Sequence, residues 1–241
     1  MPLSNPVDEQ QATRSWIGSM GVAWYGRLGS EKLCSRIRAW VMKAEGGPAT
    51  SHSIRVIFSR YHRVQVGLYT AGPCLLRPNV FHAGTSIGRY TWVSDSVRTF
   101  TRNHPMNITS THGFFYNPAL GKVKGSPIQF NELKIGNGVC IGHNAVVLPP
   151  TSQIGDGAII CPGAVIYFNV PAYTVVSGFP ATVKSHRFTK DQITALQASE
   201  WWKKTPAELG TDHHALIESI VGAPGAGTGP ALGAAAQKSN G

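Results

Sequence analysis

The chain has 241 residues and a formal net charge of +10, with only 14% charged residues and 27 glycines. That length supports one substantial core, and the composition favours a turn-rich β architecture over a helical bundle, which would carry more Glu, Lys, Ala and Leu. The positive charge favours anionic partners, while the scattered Cys34, Cys74, Cys140 and Cys161 fit neither a zinc knuckle nor a disulfide framework, so a reducing cytosol is the expected compartment.

The first ten residues lack the basic start and apolar stretch of a secretory signal, and no run of about 18 apolar residues occurs, so a soluble or peripheral protein is expected. Within residues 1–58, a helical extension, Trp16, Ile17, Met20, Trp24, Leu28, Leu33, Ile37, Trp40 and Val41 recur at helical spacing among Arg14, Arg27, Lys32, Arg36, Arg38 and Lys43. Two basic amphipathic helices follow from this pattern. They have two uses: covering the open end of a β structure, or attaching to an anionic membrane surface.

Residues 59–187 carry an aliphatic-Gly-x-x-small unit with a period of six. It reads Val66-Gly-Leu-Tyr-Thr, Ile87-Gly-Arg-Tyr-Thr, Ile135-Gly-Asn-Gly-Val, Ile141-Gly-His-Asn-Ala and Ile154-Gly-Asp-Gly-Ala, continued by Ile160-Cys-Pro-Gly-Ala and Ile166-Tyr-Phe-Asn-Val. A sandwich strand would show a period of two; a sustained period of six predicts a triangular solenoid, with each unit a short strand plus a corner and its aliphatic residue turned inward. The period fades over about 93–132, predicting an extruded loop of functional length. Between Val147 and Ile154 seven residues stand where six are expected, which predicts a bulged corner. Helices are expected over 188–221, opened by Thr189, and the Gly-, Ala- and Pro-rich 222–241 reads as a disordered tail.

The units, together with Arg102-Asn103-His104-Pro105, Val170-Pro-Ala-Tyr-Thr-Val-Val-Ser-Gly, Val176-Ser-Gly-Phe-Pro-Ala-Thr-Val183, Arg187-Phe188 and Trp201-Trp202, carry a resemblance. From about Arg60 to Trp202 the chain resembles the hexapeptide-repeat acetyltransferases, among them the xenobiotic (streptogramin and chloramphenicol) acetyltransferases and related sugar or polysaccharide O-acetyltransferases. The resemblance implies a mainly β fold, a left-handed parallel β-helix with N-terminal and C-terminal helices, assembled as a homotrimer with acetyl-CoA bound between neighbouring subunits. It maps the general base onto His104, with Asn103 beside it in the motif. A hydroxyl is a poor nucleophile towards a thioester until a base near neutral pKa removes its proton, which is what a histidine supplies.

By the same resemblance, pantetheine would run along backbone amides around Gly142, His143, Ala158 and Gly163, and Ser177, Gly178, Pro180, Ala181 and Lys184 match the closing cofactor motif, with His186 and Arg187 adding positive charge. Two positions depart from the pattern: Cys140 stands where Trp is frequent, and Phe179 where Asn is usual. Tyr69, Trp92, Phe114, Phe115 and Tyr116 are candidate acceptor contacts, suiting either a sugar face or a macrocyclic drug. His82 reads as structural and His112 as a neighbour of the acceptor. A zinc enzyme on the same scaffold would need three histidines with a close pair, and His82, His104, His112 and His143 offer none, so no metal is expected. No nucleic-acid recognition motif is present, and a non-catalytic binding or assembly module is the alternative of another class. The Trp-rich extension favours a membrane-proximal glycan as acceptor, with the protein in the cytoplasm at the inner membrane face.

Overall fold

In the computed structural model of the chain, residues 5–120, 122–128, 130–210 and 212–221 are described; the expected disordered tail lies outside them. Helices α1 (Pro6–Gln11), α2 (Trp16–Tyr25), α3 (Glu31–Ala44) and α4 (His52–Ile57) come first, the last running into a wide π-type turn at Phe58–His62. Ten two-residue strands follow: β1 (Gln65–Val66), β2 (Ser86–Ile87), β3 (Trp92–Val93), β4 (Arg98–Thr99), β5 (Lys134–Ile135), β6 (Cys140–Ile141), β7 (Val146–Val147), β8 (Gln153–Ile154), β9 (Ile159–Ile160) and β10 (Val165–Ile166). The hairpin β11 (Thr174–Gly178) and β12 (Ala181–His186) ends this region, and α5 (Lys190–Ser199), α6 (Pro206–Leu209) and α7 (His213–Val221) are the last elements among the described residues.

The fold is mainly β with parallel strands. Three ladders run β1-β2-β5-β8, β3-β6-β9-β11 and β4-β7-β10, all parallel, and only β12 is antiparallel, on β11. The chain visits the first, second and third ladders in turn, and the six-residue step places Ile87, Val93 and Thr99, then Ile135, Ile141 and Val147, then Ile154, Ile160 and Ile166 inward and buried. Burying such an aliphatic side chain contributes about 1.5–3 kcal/mol. The step from β7 to β8 is the predicted seven-residue one, around Pro149 and Pro150. Regular pairing persists through β4, inside the segment expected to be loop, so the chain leaves the coil only after Thr99.

Two requirements explain the repeat's glycines. Coils stack so closely that a Cβ on Gly88 would stand 2.6 Å from the Gly136 carbonyl carbon. Two residues later each corner takes a left-handed conformation, occupied by Gly138, Asn144, Gly157 and Gly163 and, against the usual preference, by Tyr69, Tyr90 and Tyr173. The first two tyrosines stack at 4.9 Å between ring centroids, Tyr90 meets Trp201 at 5.5 Å, and Tyr173 Oη accepts from Trp201 Nε1, so the C-terminal segment fills this corner.

The helical extension closes the first coil through buried polar side chains. Arg55 donates to the carbonyls of Pro48, Ala49, Ser51 and Gly67, tying α4 to the coil. Arg89, buried beneath Tyr69, reaches Asp8 of α1 at 3.3 Å, while burial raises the Asp8 pKa against the lowering effect of that cation. Helices α2 and α3 pack closely because Gly21 leaves room for Val41. Glu45, fully buried, accepts from the Ser15 and Ser53 amides and the Ser51 and Ser53 hydroxyls.

Candidate active site

Between β4 and β5 the chain leaves the coil at Phe100 and returns at Glu132, forming the expected excursion beside the edge that joins the third ladder to the first. It carries short 3-10 turns at Gly113–Phe115 and Pro118–Leu120 and encloses a cavity of about 640 Å³. Asn103 and His104 both line it. Phe100, Tyr116 and Phe130 supply aromatic wall, and Arg102, Asn117 and Ser126 supply polar groups. The His104 imidazole stands edge-on to Tyr116, with ring centroids 5.4 Å apart and planes at 83°, and Arg102 lies over Phe130 at 5.3 Å. His104 also borders a second hollow of about 320 Å³ with Pro105, Asn131, Pro149 and Pro150. An exposed imidazole open to two hollows is placed to take a proton from a molecule bound in one of them.

His82 lines the same cavity, although its sequence context reads as structural. Its Nδ1 is buried without a hydrogen-bond partner, and burial, helped by nearby Arg102, lowers its pKa. Phe100, Leu148 and Phe130 were also missed as lining residues. The first two had a signal: each directly follows an inward third-ladder residue, Thr99 or Val147, and so must project outward at that edge.

Most of the candidate cofactor residues occupy a different edge, between the second and third ladders, and Ala158 does not. Gly142 and His143, then Gly163, then Ser177 and Gly178 succeed one another coil by coil, with the Gly163 amide bonded to the His143 carbonyl and the Cys161 amide to that of Val176. His143 Nδ1 meets Ser94 Oγ at 2.5 Å and Ser96 Oγ at 3.2 Å, with Asp95 at 3.4 Å and the Trp92 ring at 5.9 Å. Pro180 and Lys184 are exposed close to this column in the closing hairpin, and Phe179 projects to solvent. Ala181 is buried beneath them, and Ala158 is buried at the corner between the first and second ladders. Arg187 is occupied elsewhere: it donates to the Gly157 carbonyl and lies over Tyr173 and Phe188.

Of the candidate acceptor contacts, only Tyr116 lines the His104 cavity. Trp92 projects from the second ladder beside His143, and Tyr69 stacks on Tyr90 at the first–second corner. Phe114 and Phe115 are exposed on the loop, where His112 packs on Phe114 at 4.4 Å and caps its turn through Nδ1. Among the described residues no cluster of three His, Cys, Asp or Glu could hold a metal ion.

No family model matches the chain. A chloramphenicol acetyltransferase of Morganella morganii is 32% identical over 123 residues, 50% of this chain and 58% of that one. A probable macrolide acetyltransferase of Lysinibacillus sphaericus is 31% identical over 142 residues, 56% of this chain and 78% of the relative. The chain thus spans little more than half of the first relative and over three quarters of the second. Among solved structures, a hexapeptide-repeat acetyltransferase of Vibrio cholerae complexed with acetyl-CoA aligns over 70% of this chain and 85% of its own, at 14% identity and a TM-score of 0.40.

Proposed function

Because the chain belongs to the hexapeptide-repeat acetyltransferases, we propose that it moves acetyl from acetyl-CoA to a hydroxyl of a sugar or polysaccharide unit, His104 acting as general base. In this reading the coil is a left-handed parallel β-helix, and three copies form a homotrimer.

One observation carries the proposal: the His104 cavity and the column from His143 to Gly178 flank opposite sides of the third ladder. A strand and its corners separate them, on the order of 15 Å at about 3.3 Å per residue. Reacting atoms must approach to about 3–3.5 Å, so the two edges can cooperate only when His104 of one copy faces the column of another. The outward surfaces fit that assembly. The first ladder presents Gln65, Ser86, Lys134 and Gln153, whereas the second presents Trp92, Cys140 and Ile159 and the third Arg98, Val146 and Val165. Apolar faces suit burial between copies.

In the reaction, His104 takes the acceptor proton as the hydroxyl oxygen attacks the thioester carbonyl. The tetrahedral intermediate collapses with cleavage of the carbon–sulfur bond, and the same proton leaves on the coenzyme A thiol. The balance is acetyl-CoA plus alcohol giving ester plus free thiol. Phe100, Tyr116 and Phe130 suit the apolar face of a sugar ring and Asn103, Asn117 and Ser126 its hydroxyls. The relatives' names favour a second reading, in which the acceptor is an antibiotic of the chloramphenicol or macrolide kind.

No helix among the described residues is long and apolar enough to cross a membrane. We place the protein in the cytoplasm at the inner membrane face, its N-terminal helices towards a membrane-borne glycan acceptor. Thiol release from acetyl-CoA in a screen of sugars, glycan precursors and antibiotics tests the proposal. Turnover on glycans supports it, turnover on an antibiotic alone selects the second reading, and absence of acetyl-CoA binding leaves only a non-catalytic scaffold.

A further inference from the structure

We propose that the outer face of the α2–α3 hairpin is an interfacial docking surface for anionic lipid, formed by Trp16, Met20, Trp24, Leu33 and Trp40 within a rim of basic side chains. The proposal deepens the membrane-side placement made above and rests on it for its biological setting, but it is read out independently of acetyl transfer.

The hairpin turns its small and polar side inward. Gly18, Gly21 and Tyr25 of α2 and Cys34, Arg38 and Val41 of α3 are buried. Their contacts account for the core of the pair: Gly21 lies against Val41 and Ile37, Gly18 against Glu45, and Tyr25 Oη accepts from Arg38 and bonds His62 Nε2. The large apolar side chains point the other way. Trp16, Met20 and Trp24 recur every four residues and share one stripe of α2, and Leu33 and Trp40, seven apart, share one stripe of α3. Trp16 is 72% exposed and Trp24 59%, with Trp40 at 46%. A helix that merely capped the coil would turn these residues towards it, so capping does not account for the stripe.

Charge selects the occupant. Arg27, Lys32, Arg36 and Lys43 are all exposed on the hairpin, while Arg14 beside it is paired with Glu9 of α1. The acidic residues of the same stretch face other partners: Glu31 bonds Arg38, and Glu45 is buried among serines. What remains is an apolar stripe with a positive surround, the pattern that lies in the headgroup region of an anionic bilayer. Tryptophan is the side chain best suited to that depth, since its ring is apolar and its N–H polar.

The test uses the full chain and vesicles of phosphatidylcholine, with or without phosphatidylglycerol, in co-sedimentation and tryptophan fluorescence. The wild type is expected to bind the anionic vesicles with a blue-shifted emission and to bind more weakly as salt rises. Trp16→Ser, Trp24→Ser and Trp40→Ser combined should abolish binding, while the rate of acetyl-CoA turnover on a soluble acceptor stays unchanged. Lys32→Gln, Arg36→Gln and Lys43→Gln combined should weaken binding on the order of 100-fold, at about five-fold per cation, and this variant decides the matter if the first fails to fold. Equal binding to both vesicle types, binding to neither, or wild-type binding by the charge variant overturns the proposal. So does a change of oligomeric mass in the tryptophan variant, which would make the stripe a contact between copies of this chain.

Discussion

If His104 of one copy works on donor held along the edge of another, two differently crippled chains should repair each other. His104→Ala removes the base and leaves the column at His143, Gly163 and Ser177 intact. His143→Trp keeps the base but places a bulky ring in the column, at a side chain that is exposed and free to be enlarged. Each variant alone should be nearly inactive, the first by about 10²- to 10⁴-fold. In trimers assembled at random from equal amounts of the two, a site works only when its base comes from the second variant and its edge from the first, so about a quarter of the sites recover. The assay is thiol release by co-expressed, doubly tagged mixed trimers. The geometry supports that outcome, because the third ladder separates the two edges within one chain. Mixed trimers no more active than the sum of the two pure variants would refute the shared site.

Gly88→Ala should destabilise the fold by about 1–3 kcal/mol or more, because its Cβ would meet the backbone of the next coil at 2.6 Å; thermal unfolding measures this, with Gly29→Ala, which meets nothing within 4 Å, as a near-neutral control. Glu45→Ala should cost about 3 kcal/mol in chemical denaturation, since it leaves the Ser15 and Ser53 amides and the Ser15, Ser51 and Ser53 hydroxyls without their acceptor. Burial holds His52, His62 and His82 below the ordinary histidine value of 6.5. The unfolded chain therefore binds more protons just below that pH, and stability is full above 6.5 and falls as pH drops beneath it. His62→Gln should flatten that fall between about pH 7 and pH 5; an unchanged slope would count against His62 as a contributor.

The coil was legible because a six-residue period leaves few other solutions: inward aliphatics, a glycine where coils touch and Gly or Asn at the left-handed corner all show in the letters around Ile135, Ile141 and Ile154. Two of the extension's four helices, α2 and α3, were legible for the same periodic reason, whereas α1 and α4, six residues each, are too short to show a period; Thr189 was legible as a helix start, where it forms a capping box with Gln192. The loop was harder to read. Arg98 and Thr99 lack the glycine and small residues of the unit, so β4 is invisible to pattern, although its backbone pairs with β7 regularly. Inside the excursion no period links position to neighbour, and a cluster of aromatics at 114–116 gives no sign that Tyr116 turns to His104 while Phe114 and Phe115 face solvent. Tyr69 was misleading for another reason: a tyrosine in the left-handed corner position stacks along the coil rather than towards the loop. His82 stayed hidden because its partner in space, the loop, is far from it in sequence.

We propose that His104 serves the chemical step and not the binding of donor. The most direct measurement compares wild type and His104→Ala for acetyl-CoA affinity by calorimetry and for thiol release with a saturating acceptor. Equal affinity for acetyl-CoA and a rate lower by about 10²- to 10⁴-fold in the variant are expected; a variant that turns over at the wild-type rate, or that loses acetyl-CoA binding in step with its activity, would rule out that role for His104.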